Sequence, residues 1–199
     1  SNLLDRTDLS NINLAGTDLS NVNLNGKNIF GTNLSYVDLS EHDLTGTNLL
    51  GVNLSHAKVS KESLKGKDIS GTNLSYVDLS EHDLAGTNLS NSILWRTNLS
   101  GIDLSSTILT NVVSRYANLS ESNLPDSLVN NNFNLATLKN INFAGKDLRG
   151  SSFERAELEG SNMQNTNLNS AKFIQVDFTK IKNKSLAGAD LSNASFSYS

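Results

Sequence analysis

The chain carries an apolar residue at every fifth position. From Leu4 to Leu109 each of these residues is Leu, Ile or Val, and Leu predominates. An α-helix advances about 100° per residue, so a step of five would spread these side chains around its axis. A straight strand would send successive members of the series to opposite faces. The period therefore excludes an amphipathic helix and a long strand.

A chain that turns about once every five residues satisfies the pattern, because each apolar side chain can then point at a common axis. Each segment between two turns begins a new wall, and four walls make a square coil. Order then comes from coils stacked in register, and the sequence predicts a solenoid.

Individual blocks of five residues carry a recognisable signature. TDLSN at 7–11, TNLSY at 32–36, VDLSE at 37–41 and TNLSN at 87–91 resemble the A(D/N)LXX repeat of the pentapeptide-repeat family. The resemblance covers nearly the whole chain and implies an all-β fold, a right-handed quadrilateral parallel β-helix with 20 residues per coil. It also implies that the central Leu and the residue two before it face inward. Here Thr or Val often replaces the usual Ala, and a Thr hydroxyl can bond to the backbone.

Internal repetition supports a coil of 20 residues. The segment GTNLSYVDLSEHDL occurs at 31–44 and again at 71–84, an offset that returns the copy to the same wall after two coils. We expect a single β-helix over residues 1–199, with about ten coils spaced by roughly 4.8 Å. The register slips where Phe133 follows Val129 after four residues, which predicts an irregular coil near 111–135, around Pro125. A second slip predicts a short loop near 179–185.

Composition and charge exclude or disfavour several kinds of site and partner. The chain has no cysteine, which excludes disulfides and thiolate metal sites. A net charge of −4 does not favour direct nucleic-acid binding. No stretch predicts a membrane span or a signal peptide. Repeated Asn-Leu-Ser motifs would be glycan acceptors in a eukaryotic secretory route, so we expect a bacterial cytoplasm, or a host cytosol for a secreted effector.

One outward column is richer in aromatic and cationic residues than the rest. At intervals of 20 the pattern aligns five residues, with Trp95 beside the fourth: Tyr36, His56, Tyr76, Arg96 and Tyr116. Tyr, Trp and Arg often anchor protein interfaces, so this column is a candidate binding surface. The alternative, that the side chains only stack on each other and stabilise the wall, stays open.

A second column places large polar residues where small inward ones are expected. His42, Glu62 and His82 fall two residues before the central position on successive coils. Strands at fixed spacing do not readily bring three side chains onto one ion, so we do not predict a metal site. We expect a structural polar patch in which Glu62 accepts hydrogen bonds from the histidines, with Lys67 close by.

No catalytic motif or phosphate-binding loop is present, and the sequence predicts neither an enzyme nor a cofactor. We expect a protein–protein interaction or scaffold module with an unknown protein partner and no small-molecule substrate, as part of a larger bacterial protein. Two alternatives rest on the resemblance: a DNA-mimicking, gyrase-binding protein of the quinolone-resistance type, and the accessory β-helix of an effector ubiquitin ligase. End-to-end self-association is a further expectation, because no cap is visible at either end.

Overall fold

The computed structural model of the protein describes residues 2–199, which form a solenoid of stacked coils. Bridged residues on neighbouring coils run parallel and are mostly 20 apart in sequence, as in the series Asn13, Asn33, Asn53 and Asn73. A coil therefore takes 20 residues, or four segments of five. We call each stack of segments at this spacing a wall.

Few segments are long enough to count as strands, because a wall has only two or three extended residues before the next turn. Strand β1 (Asp38–Leu39) pairs in parallel with β2 (Lys58–Val59), and β3 (Lys172–Ile174) pairs in parallel with β4 (Ser195–Ser197). Short 3-10 helices span Leu3–Asp5, Phe178–Lys180 and Lys182–Lys184.

A tight turn closes each segment. The carbonyl of a central residue accepts a hydrogen bond from the N–H three residues later, as between Leu54 and Ala57 at 3.0 Å. At most corners the second residue after the centre has a positive φ, as in Gly51 at 65° and Gly71 at 71°. A positive φ at this position is typical of a type II turn, and glycine adopts it without strain.

The interior is filled by the central residues and by the residue two before each of them. Leu34, Leu54 and Leu74 are fully buried, as the period predicts. The Thr97 hydroxyl donates to the carbonyl of Leu74 in the previous coil at 2.9 Å, and Thr32 makes the equivalent bond at 2.6 Å. The expectation that Thr bonds to the backbone in place of Ala is confirmed.

Phe replaces Leu along one wall toward the C-terminus. Phe133, Phe153, Phe173 and Phe196 form a continuous stack, with successive ring centroids 5.2, 4.9 and 5.1 Å apart. Phe133, Phe153 and Phe173 fill the interior of that wall, and Phe153 is fully buried between its two neighbours. Phe196, at the end of the stack, is exposed.

The register changes in two places. Val113 pairs with Asn132, an offset of 19, and Leu128 is buried while Val129 is half-buried. The assignment of Val129 to the central position was wrong, because the four-residue step follows Leu124 rather than Val129. Near the C-terminus, Lys172 pairs with Ser195 at an offset of 23.

Outside the core, the residue before each central position is usually Asp or Asn and caps its own turn. Asn53 Oδ1 accepts the N–H of Ser55 at 3.0 Å, and Asp78 Oδ1 accepts the N–H of Ser80 at the same distance. Hydrogen bonds from the Ser80 hydroxyl and amide hold the pKa of the Asp78 carboxyl below its usual range. Those from Ser105 do the same to the pKa of Asp103.

We expect Phe153→Ala to lower the free energy of unfolding by about 3–5 kcal/mol, because it opens a cavity within the Phe stack. The matched control is Phe30→Ala on another wall, where the ring is 43% exposed and little packing is lost. Urea unfolding of both variants measures the difference. Similar losses in the two proteins would contradict the assigned core.

Acid should weaken the caps that Asp78 and Asp103 provide. A folded-state pKa below the unfolded value stabilises the fold at pH values above about 4, and this contribution is lost as the pH falls. In Asp78→Asn/Asp103→Asn the amide oxygen still accepts the turn N–H, without a titrating group. We expect the variant to be less stable than wild type at pH 7, with the difference shrinking toward pH 3. Urea midpoints measure it, and a constant difference would exclude the linkage.

Candidate functional site

The aromatic and cationic column is a continuous stack along the corner that follows one wall. We call Tyr36, His56, Tyr76, Arg96 and Tyr116 the ladder. The His56 ring lies parallel to its neighbours, 4.5 Å from the Tyr36 centroid and 4.2 Å from the Tyr76 centroid. The structure thus brings the ladder residues together as the sequence predicts, and shows that they contact one another.

Arg96 and Trp95 continue the stack beyond Tyr76. The Arg96 guanidinium carbon lies 5.5 Å from the Trp95 ring centroid and 4.8 Å from that of Tyr116, distances typical of cation–π contact. Trp95 is half-buried and meets Tyr76 edge to face at 5.1 Å. The guanidinium is therefore held between rings.

Every ladder residue occupies a corner position that favours glycine. The φ angles of Tyr36, His56, Tyr76, Arg96 and Tyr116 are 63°, 57°, 61°, 55° and 58°. This left-handed conformation costs a non-glycine residue roughly 1–2 kcal/mol. Glycine fills many other corners, and each large side chain here carries a strain that stacking or binding can offset.

Because the ladder residues are stacked, only some of their ring faces and edges are accessible to a partner. The faces of His56 are covered by its neighbours, so the ladder presents mainly ring edges, phenol hydroxyls and guanidinium N–H groups. Tyr36 differs because the corner before it is Gly16, which has no side chain. It is 65% exposed, compared with 42% for Tyr76 and 40% for Tyr116. One open ring face therefore ends the stack.

The inward column does not form as the sequence predicts. His42 Nε2 and His82 Nε2 each lie 2.8 Å from a carbonyl of the previous coil, that of Leu19 and of Val59. Since a carbonyl only accepts, both rings donate through Nε2, which leaves each Nδ1 unprotonated in a neutral ring. Each Nδ1 is buried with no hydrogen-bond partner among residues 2–199.

Glu62 is exposed, so its assignment to the inward column was wrong. The turn in its coil begins one residue late: Ser63 N–H and Oγ–H bond to the Ser60 carbonyl, at 3.2 and 2.9 Å. This shift turns Glu62 outward, away from any pairing with the histidines. Lys67 Nζ instead donates to the Leu44 carbonyl at 2.7 Å, and burial lowers its pKa.

Three residues beside the ladder escaped prediction from sequence. Ile93 and Val113 lie on the same wall, 41% and 36% exposed, and the Arg115 guanidinium carbon lies 5.9 Å from the Tyr116 ring centroid. The available signal for Ile93 and Val113 was an apolar residue at a position that is usually Asp or Asn. Among residues 2–199 no group of three or more His, Asp or Glu side chains is placed to hold a metal ion.

The family comparison agrees with this geometry. The model of the family described as Pentapeptide repeats matches in 8 copies, over residues 3–26, 28–61, 68–105, 97–131, 132–169 and 154–182. The chain belongs to the pentapeptide-repeat family. No curated protein sequence matches it.

Two solved structures share the fold. HetL, a pentapeptide repeat protein involved in heterocyst differentiation regulation in the cyanobacterium Nostoc, is 30% identical, with a TM-score of 0.57 over 94% of this chain and 84% of HetL. QnrB1, a plasmid-mediated fluoroquinolone resistance protein, is 20% identical, with a TM-score of 0.54 over 92% of both chains. At that identity QnrB1 shows the fold alone. In the described part of the chain, no helix is long and apolar enough to cross a membrane.

Glycine substitution separates ladder stacking from corner strain. Glu121 has a φ of 62° without an aromatic neighbour in the ladder, so Glu121→Gly should relieve strain and stabilise the fold by roughly 0.5–1 kcal/mol. His56→Gly relieves similar strain but loses two stacked contacts, each worth roughly 0.5–1.5 kcal/mol. We expect the second variant to be the less stable by thermal unfolding. Equal stabilities would mean that stacking contributes nothing.

Proposed function

We propose that this protein is a non-catalytic protein–protein interaction module and that the ladder, with Trp95, is its binding surface. The observation that carries the proposal is the placement of exposed aromatic and cationic side chains at strained corners where glycine would fit. Tyr, Trp and Arg are the residue types that most often dominate binding energy.

Rigidity supports this role. The ladder residues are fixed by the turns and by one another, so little side-chain entropy is lost when a partner binds. HetL, which shares the repeat architecture, is involved in the regulation of a differentiation process. From HetL we infer only that a pentapeptide-repeat solenoid can take part in regulation.

The chemistry of the surface supports binding over catalysis. A surface depression of about 670 Å³ contains carboxylates and His42. Asp38, which lines it, lies 3.5 Å from Lys58 Nζ, and the one imidazole there donates to a carbonyl. Ser40, which also lines it, donates its hydroxyl to Asp38 Oδ1 at 2.6 Å, but no hydroxyl of the depression is hydrogen-bonded to the imidazole.

A gyrase-binding DNA mimic is the second candidate, and the fold shared with QnrB1 is its support. Mimicry of DNA needs a row of unneutralised negative charge. Here Lys61 pairs with Glu81, and Lys65 pairs with Asp83 at 2.7 Å. Because these carboxylates are neutralised from the neighbouring coil, we rank the mimic below the interaction module.

The remaining parts of the proposal rest on the repeat pattern. We infer a right-handed solenoid of about ten four-sided coils, for which the 20-residue register is the support. We place the protein in a bacterial cytoplasm, or in a host cytosol as the repeat region of a secreted effector. A role beside a ubiquitin-ligase domain has no observation in its favour.

An affinity capture with matched variants tests the ladder. Wild type, Tyr76→Ala/Tyr116→Ala and the control Phe30→Ala are immobilised and exposed to a lysate of the source cells. We expect at least one protein to be retained by wild type and control but lost by the ladder variant. Calorimetry with that purified protein then measures the affinity. Identical retained sets for all three would contradict the proposal, and ladder-independent binding of purified gyrase would favour the mimic.

A further inference from the structure

The residue before each central position is apolar in only one region of the solenoid. From Asp8 to Asp177 this position is polar or charged except at Ile93, Ile108 and Val113. All three belong to neighbouring coils, although the position recurs along the whole chain. Exceptions placed at random would be spread along the chain, so the clustering of these three indicates a distinct local surface.

These three side chains surround one corner. Ile93 and Val113 are bridged neighbours on one wall, and Ile108 lies on the preceding wall of the same coil as Val113, before the corner at Asn111. Their exposed fractions are 41%, 51% and 36% for Ile93, Ile108 and Val113. Together they form an apolar patch open to solvent.

The fold gains no turn cap from these residues. On the same wall, the side-chain Oδ1 of Asn33, Asn53 and Asn73 each accepts a turn N–H at 3.0 Å. Ile93 and Val113 have no acceptor atom to offer, so two such hydrogen bonds are missing. A hydrogen bond of this kind contributes roughly 0.5–1.5 kcal/mol.

Two guanidinium groups flank the apolar patch. Arg96 is held by Trp95 and Tyr116, and Arg115 lies over Tyr116 at 5.9 Å. Neither forms an ion pair with a carboxylate among residues 2–199, whereas Arg149 pairs with Asp147 at 2.7 Å. Guanidinium N–H groups fixed in this way match a planar carboxylate.

The backbone of this wall is already occupied. The Ile93 N–H bonds to the Thr72 carbonyl at 2.9 Å, and the Leu94 N–H bonds to the Val113 carbonyl at 2.7 Å. A partner therefore cannot add a strand here and must dock through side chains. Its chemistry is set by three aliphatic groups and two cations.

We propose that Ile93, Ile108, Val113, Arg96 and Arg115, which we call the junction patch, dock an acidic segment of a partner protein. Carboxylates of that segment pair with the two guanidinium groups, and its apolar side chains cover the three aliphatic residues. The inference rests on the proposed interaction function and names the partner chemistry. Three aliphatic groups beside only two cations disfavour nucleic acid as the occupant, because protein–nucleic acid interfaces are more polar and more positively charged.

Short labelled peptides test the chemistry directly by fluorescence anisotropy. The probes are an alternating Glu-Leu peptide, a Lys-Leu peptide, a Glu-Ser peptide and a single-stranded oligonucleotide. We expect the Glu-Leu peptide to bind most tightly, with an affinity that falls as salt is raised. Equal binding of the Glu-Leu and Lys-Leu peptides, or preferred binding of the oligonucleotide, would overturn the inference.

Two double variants locate the site. Arg96→Gln/Arg115→Gln removes the cations, and Ile93→Asn/Val113→Asn restores the residue type found elsewhere on the wall. Each should weaken Glu-Leu peptide binding by about tenfold or more, the effect of losing roughly 1.4 kcal/mol. The control Arg149→Gln, which lies outside the junction patch, should bind as wild type does. Unchanged melting temperatures exclude unfolding as the cause, and unchanged binding in both folded variants would overturn the inference.

The same variants distinguish this inference from the function on which it rests. If a captured protein is lost by Tyr76→Ala/Tyr116→Ala but kept by both junction-patch variants, the interaction function stands and the acidic-segment inference fails. If Tyr76→Ala/Tyr116→Ala still captures the same proteins but the Glu-Leu peptide binds only proteins with an intact junction patch, the ladder tyrosines fail as the interface and the patch chemistry stands.

Discussion

The structure depends on one repeated constraint: a turn after every central residue, followed by backbone hydrogen bonds to the next coil. Five residues bring the chain around one corner, and 20 return it to the same wall. Each coil can bury its apolar face only against the coils above and below, so order is a property of the stack. Several inward side chains also join neighbouring coils, because they donate to a carbonyl of the preceding coil, as His42 does to Leu19, Lys67 to Leu44 and Thr97 to Leu74.

This constraint separates fold from function along the chain. The central positions and those two residues before them are committed to packing, whereas the corner residues and the positions on either side of the centre face outward and can vary. Neighbouring coils then bring outward residues 20 apart in sequence into contact. Tyr76, Arg96 and Tyr116 meet in this way, and Ile93 and Val113 lie beside them. A rigid surface arises without a cleft.

Sequence predicts those features that depend only on counting residues. The period gives the buried Leu series, and the 20-residue interval gives the ladder. Prediction from the period fails where the local turn changes. Glu62 lies outside the interior because its turn begins at Ser60, and the period of the sequence does not reveal that shift. Leu128 and Val129 are both apolar, so the pattern alone could not choose between them. The junction patch was visible as a departure from Asp or Asn, but its neighbours across the corner needed the structure.

The central claim is that the buried series supplies most of the stability of the fold, and that the outward residues of the ladder and the junction patch serve recognition. The free energy of unfolding of Ile93→Asn/Val113→Asn, from urea titration, tests it most directly. Lost apolar contact and the regained turn caps should nearly offset each other, so the account predicts a value within about 1 kcal/mol of wild type. A loss of about 3 kcal/mol or more, as expected for a cavity in a core, would contradict it.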